Sequence, residues 1–138
     1  MNPSTNKTND VIRYPQVLLD FAESSAMAAG APTTASYSAI NLVRARAGEP
    51  PLTPGLSATD FRDSVVFERK YEFAAEWGIR WYDIVRLQLL PQVLANRNVK
   101  ENPINPTVNA GNLGNRYLAP IPVNEMLKNP QWTQNPGY

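Results

Sequence analysis

Residues 68–86 read ERKYEFAAEWGIRWYDIVR, and the reading of the whole chain turns on this stretch. Glu68, Glu72 and Glu76 stand at a strict four-residue step. That step is close to one helical turn, so the three carboxylates share one face of a helix. Phe73, Trp77, Trp81 and Val85 form a second stripe at the same step. Like charges at this spacing repel one another on a bare helix. Cations are therefore expected close by. Arg80 continues the acid stripe, and Arg44 and Arg46 sit at the end of the preceding helix. The economical arrangement is a structural network of Arg44, Arg46, Glu68, Arg69, Glu72, Glu76, Arg80, Asp83 and Arg86. Bidentate arginine pairs between helices would lock the angle at which the helices cross.

Working outward from this block, the helix that carries it begins clearly. Ser57 is a good N-cap, Asp60 stands at the capping-box position, and Leu56 and Phe61 occupy the two places of a hydrophobic staple. A single long helix is expected from there to about Leu89, ending by Pro91, with a possible bend at Gly78. Upstream, Pro15 suits the first turn of a helix that runs to Ala29 and stops at Gly30. Its apolar and small face is Val17, Leu18, Phe21, Ala22 and Ser25. Thr33 or Thr34 caps the next helix, which runs to about Ala47 and ends at Gly48 before Pro50 and Pro51. Tyr37, Ile40, Val43 and Ala47 fall on one face of it. The short loop between the two predicts an antiparallel, tetratricopeptide-like hairpin.

After Pro91 the composition changes. Asn96, Asn98, Asn102, Asn105, Asn109, Asn112 and Asn115 alternate with Pro103, Pro106, Gly111 and Gly114, which reads as a long irregular loop. From Tyr117 the chain carries Pro120, Pro122, Pro130 and Pro136, so an extended tail is expected, pinned by Leu118, Ile121, Val123, Leu127 and Trp132. The fold class is all-α. The organisation is a flexible lead-in over 1–10 and one helical domain over 11–138, with helices to residue 90 and loop and tail over 91–138.

Composition narrows the function. Thirteen basic residues face twelve acidic ones, so the basic excess that nucleic acid demands is absent. Nine of the thirteen are Arg, the residue suited to paired and partly buried carboxylates. There is no Cys and no His, which excludes disulfides, thiol catalysis and imidazole bases, and no metal or cofactor site is expected. The opening MNPSTNKTND is polar and is not a signal peptide. No apolar run approaches the roughly 20 residues of a membrane-crossing helix.

Four separated motifs, in order, carry a family likeness. Arg13-Tyr14 with Val17-Leu18-Leu19 and Ala22-Glu23 is similar to R-Y-x-x-V-L-L-x-x-A-E. Asn41, Val43-Arg44 and Arg46-Ala47-Gly48 is similar to N-x-V-R-x-R-A-G. Glu68-Arg69 through Arg86 is similar to E-R-x-x-E-L-x-x-E-G-x-R-W-x-D-L-x-R, with one extra residue between Glu76 and Arg80. Pro120-Ile121-Pro122, Asn129-Pro130 and Gln134-Asn135-Pro136-Gly137-Tyr138 is similar to a P-I-P…N-P…Q-N-P-G-Y terminus. With these the chain resembles the C-terminal part of SusD/RagB-family proteins.

The resemblance implies a cell-surface lipoprotein of the outer membrane. It would bind nutrients, glycans above all, and work with a SusC-like TonB-dependent transporter. The chain is then expected to be a fragment, or the product of a truncated gene, without the export signal, the lipidated Cys and most helical repeats of the family. The ligand-binding residues of the family lie largely in that other part, so none is assigned here. No catalytic residue is assigned either, because acids at helical spacing matched by arginines form a scaffold and no nucleophile–base set accompanies them. Trp77, Trp81 and Tyr82 are expected to be buried packing rather than sugar-stacking surfaces. Two alternatives stand beside this reading. One is a helical-repeat interaction module without ligand binding, and the other a carboxylate-dependent glycoside hydrolase.

Overall fold

The computed structural model describes residues 10–76, 78–95 and 117–135. Every regular element among them is helical: α1 (Tyr14–Ala29), α2 (Thr34–Arg46), α3 (Ala58–Glu72), α4 (Ile79–Arg86), α5 (Leu90–Ala95) and α6 (Val123–Lys128). The all-α class expected from the sequence is the one observed. Among the described residues no helix is long and apolar enough to cross a membrane. The chain divides into two units, residues 1–80 and 81–138.

The first unit is built on α1, which packs against both α2 and α3. Its ends follow the expected chemistry. Pro15 lies in the first turn, and Gly30 takes the left-handed conformation (φ 72°) that closes the helix. Thr33 caps α2 in a full capping box, its side chain accepting from the Ser36 N–H while the Ser36 hydroxyl accepts from the Thr33 N–H. Ser57 caps α3 by accepting from the Asp60 N–H, and its hydroxyl donates to the Asp60 carboxylate instead of leaving that carboxylate to reach back.

The core comprises Leu19, Ala22 and Ala26 of α1, Ala39, Ile40 and Val43 of α2, Phe61 and Val65 of α3, and Phe73. The face of α1 differs from the expected one. Val17 and Phe21 are exposed, and Leu19 and Ala26 take their place. The small side chains of Ala22 and Ala26 allow two helices to approach α1 on this side, and Val17 and Phe21 fall on its far side. Ala47 likewise lies past the end of α2 and is exposed.

The expected single long helix is not formed. It stops at Glu72 and restarts at Ile79. Ala75 (φ 63°) and Gly78 (φ 71°) adopt left-handed backbone that a helix interior excludes. Successive turns close the break, with Glu76 N–H donating to the Phe73 carbonyl and Ile79 N–H to the Glu76 carbonyl. The cause is tertiary. Phe73 is buried in the core, and its ring carries the guanidinium groups of Arg13 and Arg69 at 5.2 and 5.5 Å. A helix that continued would also deny the Glu72 carbonyl to Arg13.

In the second unit Gln88 takes a positive φ of 55° and ends the α4 segment. The chain does not then become loop. Pro91 sits in the first turn of α5, where its missing N–H costs nothing. The tail is not wholly extended either, since Pro122 introduces α6. Leu118, Val123, Leu127 and Trp132 are exposed and do not pin it. The pins are polar. The Gln134 side-chain amide accepts from Ile121 N–H and donates to the Ile121 carbonyl, and Asn135 Nδ2 donates to the Ala119 carbonyl. One amide can serve both backbone groups of one residue because it holds donor and acceptor on one plane. The Asn-rich segment 96–116 and the lead-in 1–9 lie outside the described residues.

Candidate functional site

The acid stripe of α3 meets its cations in the first unit, and the central one is Arg13. This residue is the N-cap of α1 in extended conformation (φ −103°, ψ 153°), and its side chain does not cap. A cation at a helix N-terminus opposes the dipole, so its stable place is away from that end, on an external carboxylate. Arg13 Nη1 donates to Glu72 Oε1 at 2.8 Å, and Nη2 donates to the Glu72 carbonyl at 2.8 Å. Nε and Nη2 donate to the two Glu76 oxygens, both at 2.9 Å. Four bonds from one planar group fix α1 against the end of α3 in a way that one ammonium could not. Hydrogen bonding to Glu76, against the opposing effect of burial, and then to Glu72, holds the guanidinium above its ordinary pKa.

Arg44 and Arg46 join α2 to α3. Arg44 Nη1 donates to Glu68 Oε2 at 2.7 Å, and Arg46 Nη2 donates to Glu72 Oε2. Both carboxylate oxygens of Glu72, whose side chain is only 5% exposed, are thus engaged by arginines from two different elements. Arg44 Nε also donates to the Pro50 carbonyl, Asn41 Oδ1 accepts from Leu52 N–H, and the Tyr37 hydroxyl accepts from Leu56 N–H. One side of α2 therefore holds the linker that leads to α3.

The remaining residues of the anticipated network divide. Arg69 pairs with Asp20 of α1 and stacks on Phe73, while the acids next to it in sequence go to other arginines. Arg80 does not pair with Glu76. The helix break takes residue 76 out of the four-residue register, and Arg13 occupies both Glu76 oxygens. Among the described residues Arg80 Nη1 is buried without a hydrogen-bond partner. Asp83, buried on α4, pairs with Arg86 one turn on at 2.9 Å, within the second unit. Trp81 and Tyr82 are exposed, contrary to their expected packing role, because α4 turns Asp83 and Ile84 inward; Trp77 lies outside the described residues. Neither Arg13 nor Asp20 belongs to the network expected from the acid stripe. A signal existed for Arg13, a cation at a helix N-terminus. None existed for Asp20, which meets Arg69 only through the crossing of α1 and α3.

Beside the pairs lies a groove of about 540 Å³, lined by Arg44, Arg46, Ala47, Glu49, Phe67, Glu68, Tyr71 and Glu72. Its floor is the two ion pairs. Phe67 and Tyr71, 57% and 60% exposed, stand on α3 one turn apart. Their rings meet edge to face with centroids 4.9 Å apart, and the Lys70 ammonium lies over both. Among the described residues no group of three or more acidic side chains is placed to hold a metal ion.

An all-helical chain whose motif-borne arginines tie three helices together is what the profile of the SusD family (SusD_RagB) matches, over residues 1–138, and the chain belongs to that family. Among its relatives is SusD-like protein P2 of Formosa agariphila, 34% identical over 99% of this chain and 27% of the relative. A SusD homologue from Bacteroides thetaiotaomicron of known crystal structure superposes with a TM-score of 0.73 at 30% identity, over 99% of this chain and 30% of the homologue. A SusD superfamily protein from Parabacteroides distasonis superposes with a TM-score of 0.67 at 30% identity, over 94% of this chain and 27% of the other. The chain thus spans less than a third of the length of these relatives.

Proposed function

We propose that this chain is the C-terminal helical part of a non-enzymatic nutrient-binding protein at the bacterial cell surface. It takes up glycans together with a SusC-like TonB-dependent transporter in the outer membrane. The observation that carries the reading is the family match over residues 1–138, joined to superposition on SusD structures at 30% identity. The arrangement of charges supports binding over hydrolysis. A glycosidase needs one carboxyl group free to give a proton and a second free to act on the sugar. Here the oxygens of Glu72 and Glu76 and one oxygen of Glu68 are engaged by arginines.

A second partner follows from the exposed apolar surface. Val11 and Ile12 just before α1, and Tyr14, Val17 and Phe21 in its first half, are all exposed. A set of large apolar side chains of this kind marks a surface that another body covers. The remainder of the family fold, which the relatives carry beyond the third matched here, is the body of the right origin. The test is affinity capture from an outer-membrane extract of the source bacterium, with the chain as bait. Recovery of a TonB-dependent barrel protein supports the proposal. Recovery of soluble proteins alone would favour a helical interaction module. Hydrolysis of a glycan that Glu76→Gln abolishes would favour the enzyme.

A further inference from the structure

We propose that the outer face of α1 pairs with the same face of a second copy of this chain, the two helices lying antiparallel about a two-fold axis. The pairing concerns the chain by itself and does not rest on the glycan-binding reading. A second copy and the remainder of the family fold would compete for this one face.

α1 carries two stripes. Leu19, Ala22 and Ala26 lie in the core that α1 forms with α2 and α3. Nearly opposite them around the helix stand Tyr14, Val17, Phe21, Ser24 and Ala28, all exposed. Their steps of three, four, three and four residues form a seam along which a second helix lies at a shallow angle of about 20°. The large members, Tyr14, Val17 and Phe21, leave 69%, 53% and 47% of their surface in water, so the seam is open.

The stripe is graded. Tyr14, Val17 and Phe21 at its N-terminal end are large, and Ser24 and Ala28 at its C-terminal end are small. A parallel copy would set large on large at one end and leave a gap at the other, and a gap forfeits contact. An antiparallel copy sets large on small. Phe21 seats over Ser24 of the second copy and Val17 over its Ala28, and two-fold symmetry makes each contact twice. Tyr14 then falls just past Ala28, at the Gly30 turn, where the space is open. The Ser24 hydroxyl already donates to the Phe21 carbonyl, so covering it leaves no orphan donor.

The flanks agree with this register. Leu18 and Ser25 on one side are half-buried and uncharged. Arg13, Asp20 and Met27 lie on the other. Arg13 is held by Glu72 and Glu76, and Asp20 by Arg69. Asp20 comes opposite Met27 of the second copy, so it does not face its own image. One helix face is small beside the roughly 800 Å² per partner of a standard interface, so the pair is reversible, with a dissociation constant on the order of 10–100 μM.

The chain has no Cys, so single introduced cysteines report position cleanly. The test is sedimentation equilibrium of the 138-residue chain across that concentration range, with disulfide trapping of Val17→Cys and Ala28→Cys. The expected result is a monomer–dimer equilibrium, and a covalent dimer only when the two cysteine variants are mixed. Ser24→Arg, which fills the seat of Phe21, should weaken pairing about tenfold or more, and Phe67→Ala on α3 should leave it unchanged. Circular dichroism checks that helicity is retained. Cross-linking of either cysteine variant with itself would show a parallel pair and overturn the arrangement. Open-ended aggregation, or a dimer that Ser24→Arg leaves intact, would overturn the closed pair on this face. A monomer at every concentration would overturn it too, and would leave the face to the remainder of the family fold.

Discussion

Removal of Arg13 should be the most damaging single change to the ion-pair network. Arg13→Ala deletes four hydrogen bonds at once, two to Glu76, one to the Glu72 carboxylate and one to the Glu72 carbonyl. The consequences differ by exposure. Glu76 is 34% exposed and regains water when its partner leaves, so its share is that of a surface pair, about 0.5 kcal/mol. The Glu72 side chain is 5% exposed and keeps only Arg46, while the Glu72 carbonyl at the end of α3 loses the donor that Arg13 supplies. Breaking a fully buried pair costs about 3–5 kcal/mol, and Arg46 retains part of that. The loss of the guanidinium from the Phe73 ring adds about 0.5–1 kcal/mol. The net expectation is about 3 kcal/mol, a large share of the 5–15 kcal/mol that holds an ordinary domain. Urea unfolding followed by far-ultraviolet circular dichroism measures it. Arg13→Lys should recover less than half, because an ammonium cannot reach both carboxylates and the carbonyl. Pairing raises the Arg13 pKa, so its contribution is complete below the ordinary arginine range and is lost only as pH rises past the raised value. The difference between wild type and Arg13→Ala should therefore stay constant from neutrality to about pH 10. A loss below about 0.5 kcal/mol for Arg13→Ala, or full rescue by Lys, would show that the four bonds do not act as described.

Other outcomes follow from particular elements. Ala75→Gly should stabilise, and Gly78→Ala should destabilise, each by about 1 kcal/mol, because both positions have positive φ and the space around Gly78 is open. In an unbroken helix both signs would reverse, so thermal melts of the two variants test the break directly. Phe73→Ala should cost about 3–5 kcal/mol, since a ring that is nearly all buried also supports two guanidinium groups. A loss within the range of a surface substitution would refute its place in the core. Gln134→Ala should free the tail without lowering the stability of α1, α2 and α3, since it removes only bonds to Ile121, Met126 and Asn135 in the second unit. Faster proteolysis after residue 117 with an unchanged melting midpoint is the expected readout. The isolated chain should self-associate or bind an apolar dye through Val11, Ile12, Tyr14, Val17 and Phe21. A clean monomer by light scattering, with no dye uptake, would count against a covered face.

What the sequence determined by itself was set between near neighbours. The cap at Ser57, the choice of Thr33 or Thr34 as the cap of α2, the stop at Gly30 and the first turn at Pro15 depend on residues within one helical turn of each other, and the structure takes Thr33. The all-helical class follows from them and from the four-residue periodicity. The requirement that Glu68 and Glu72 meet arginines was legible too, because three like charges on one helix face cannot stand alone. The tertiary structure decided which arginines answer. Arg44 reaches Glu68 and Arg13 reaches Glu72 and Glu76 because α1 and α2 meet α3 at particular crossings, and no local pattern encodes a crossing. The break after Glu72 was decided in the same way. The segment from Glu68 to Arg86 has the spacing of one continuous helix, yet burying Phe73 and giving the Glu72 carbonyl to Arg13 outweighs the few tenths of a kcal/mol per residue that helical propensity supplies. Whether Trp81 and Tyr82 face inward or outward changes with that break, so their exposure belonged to the tertiary structure as well.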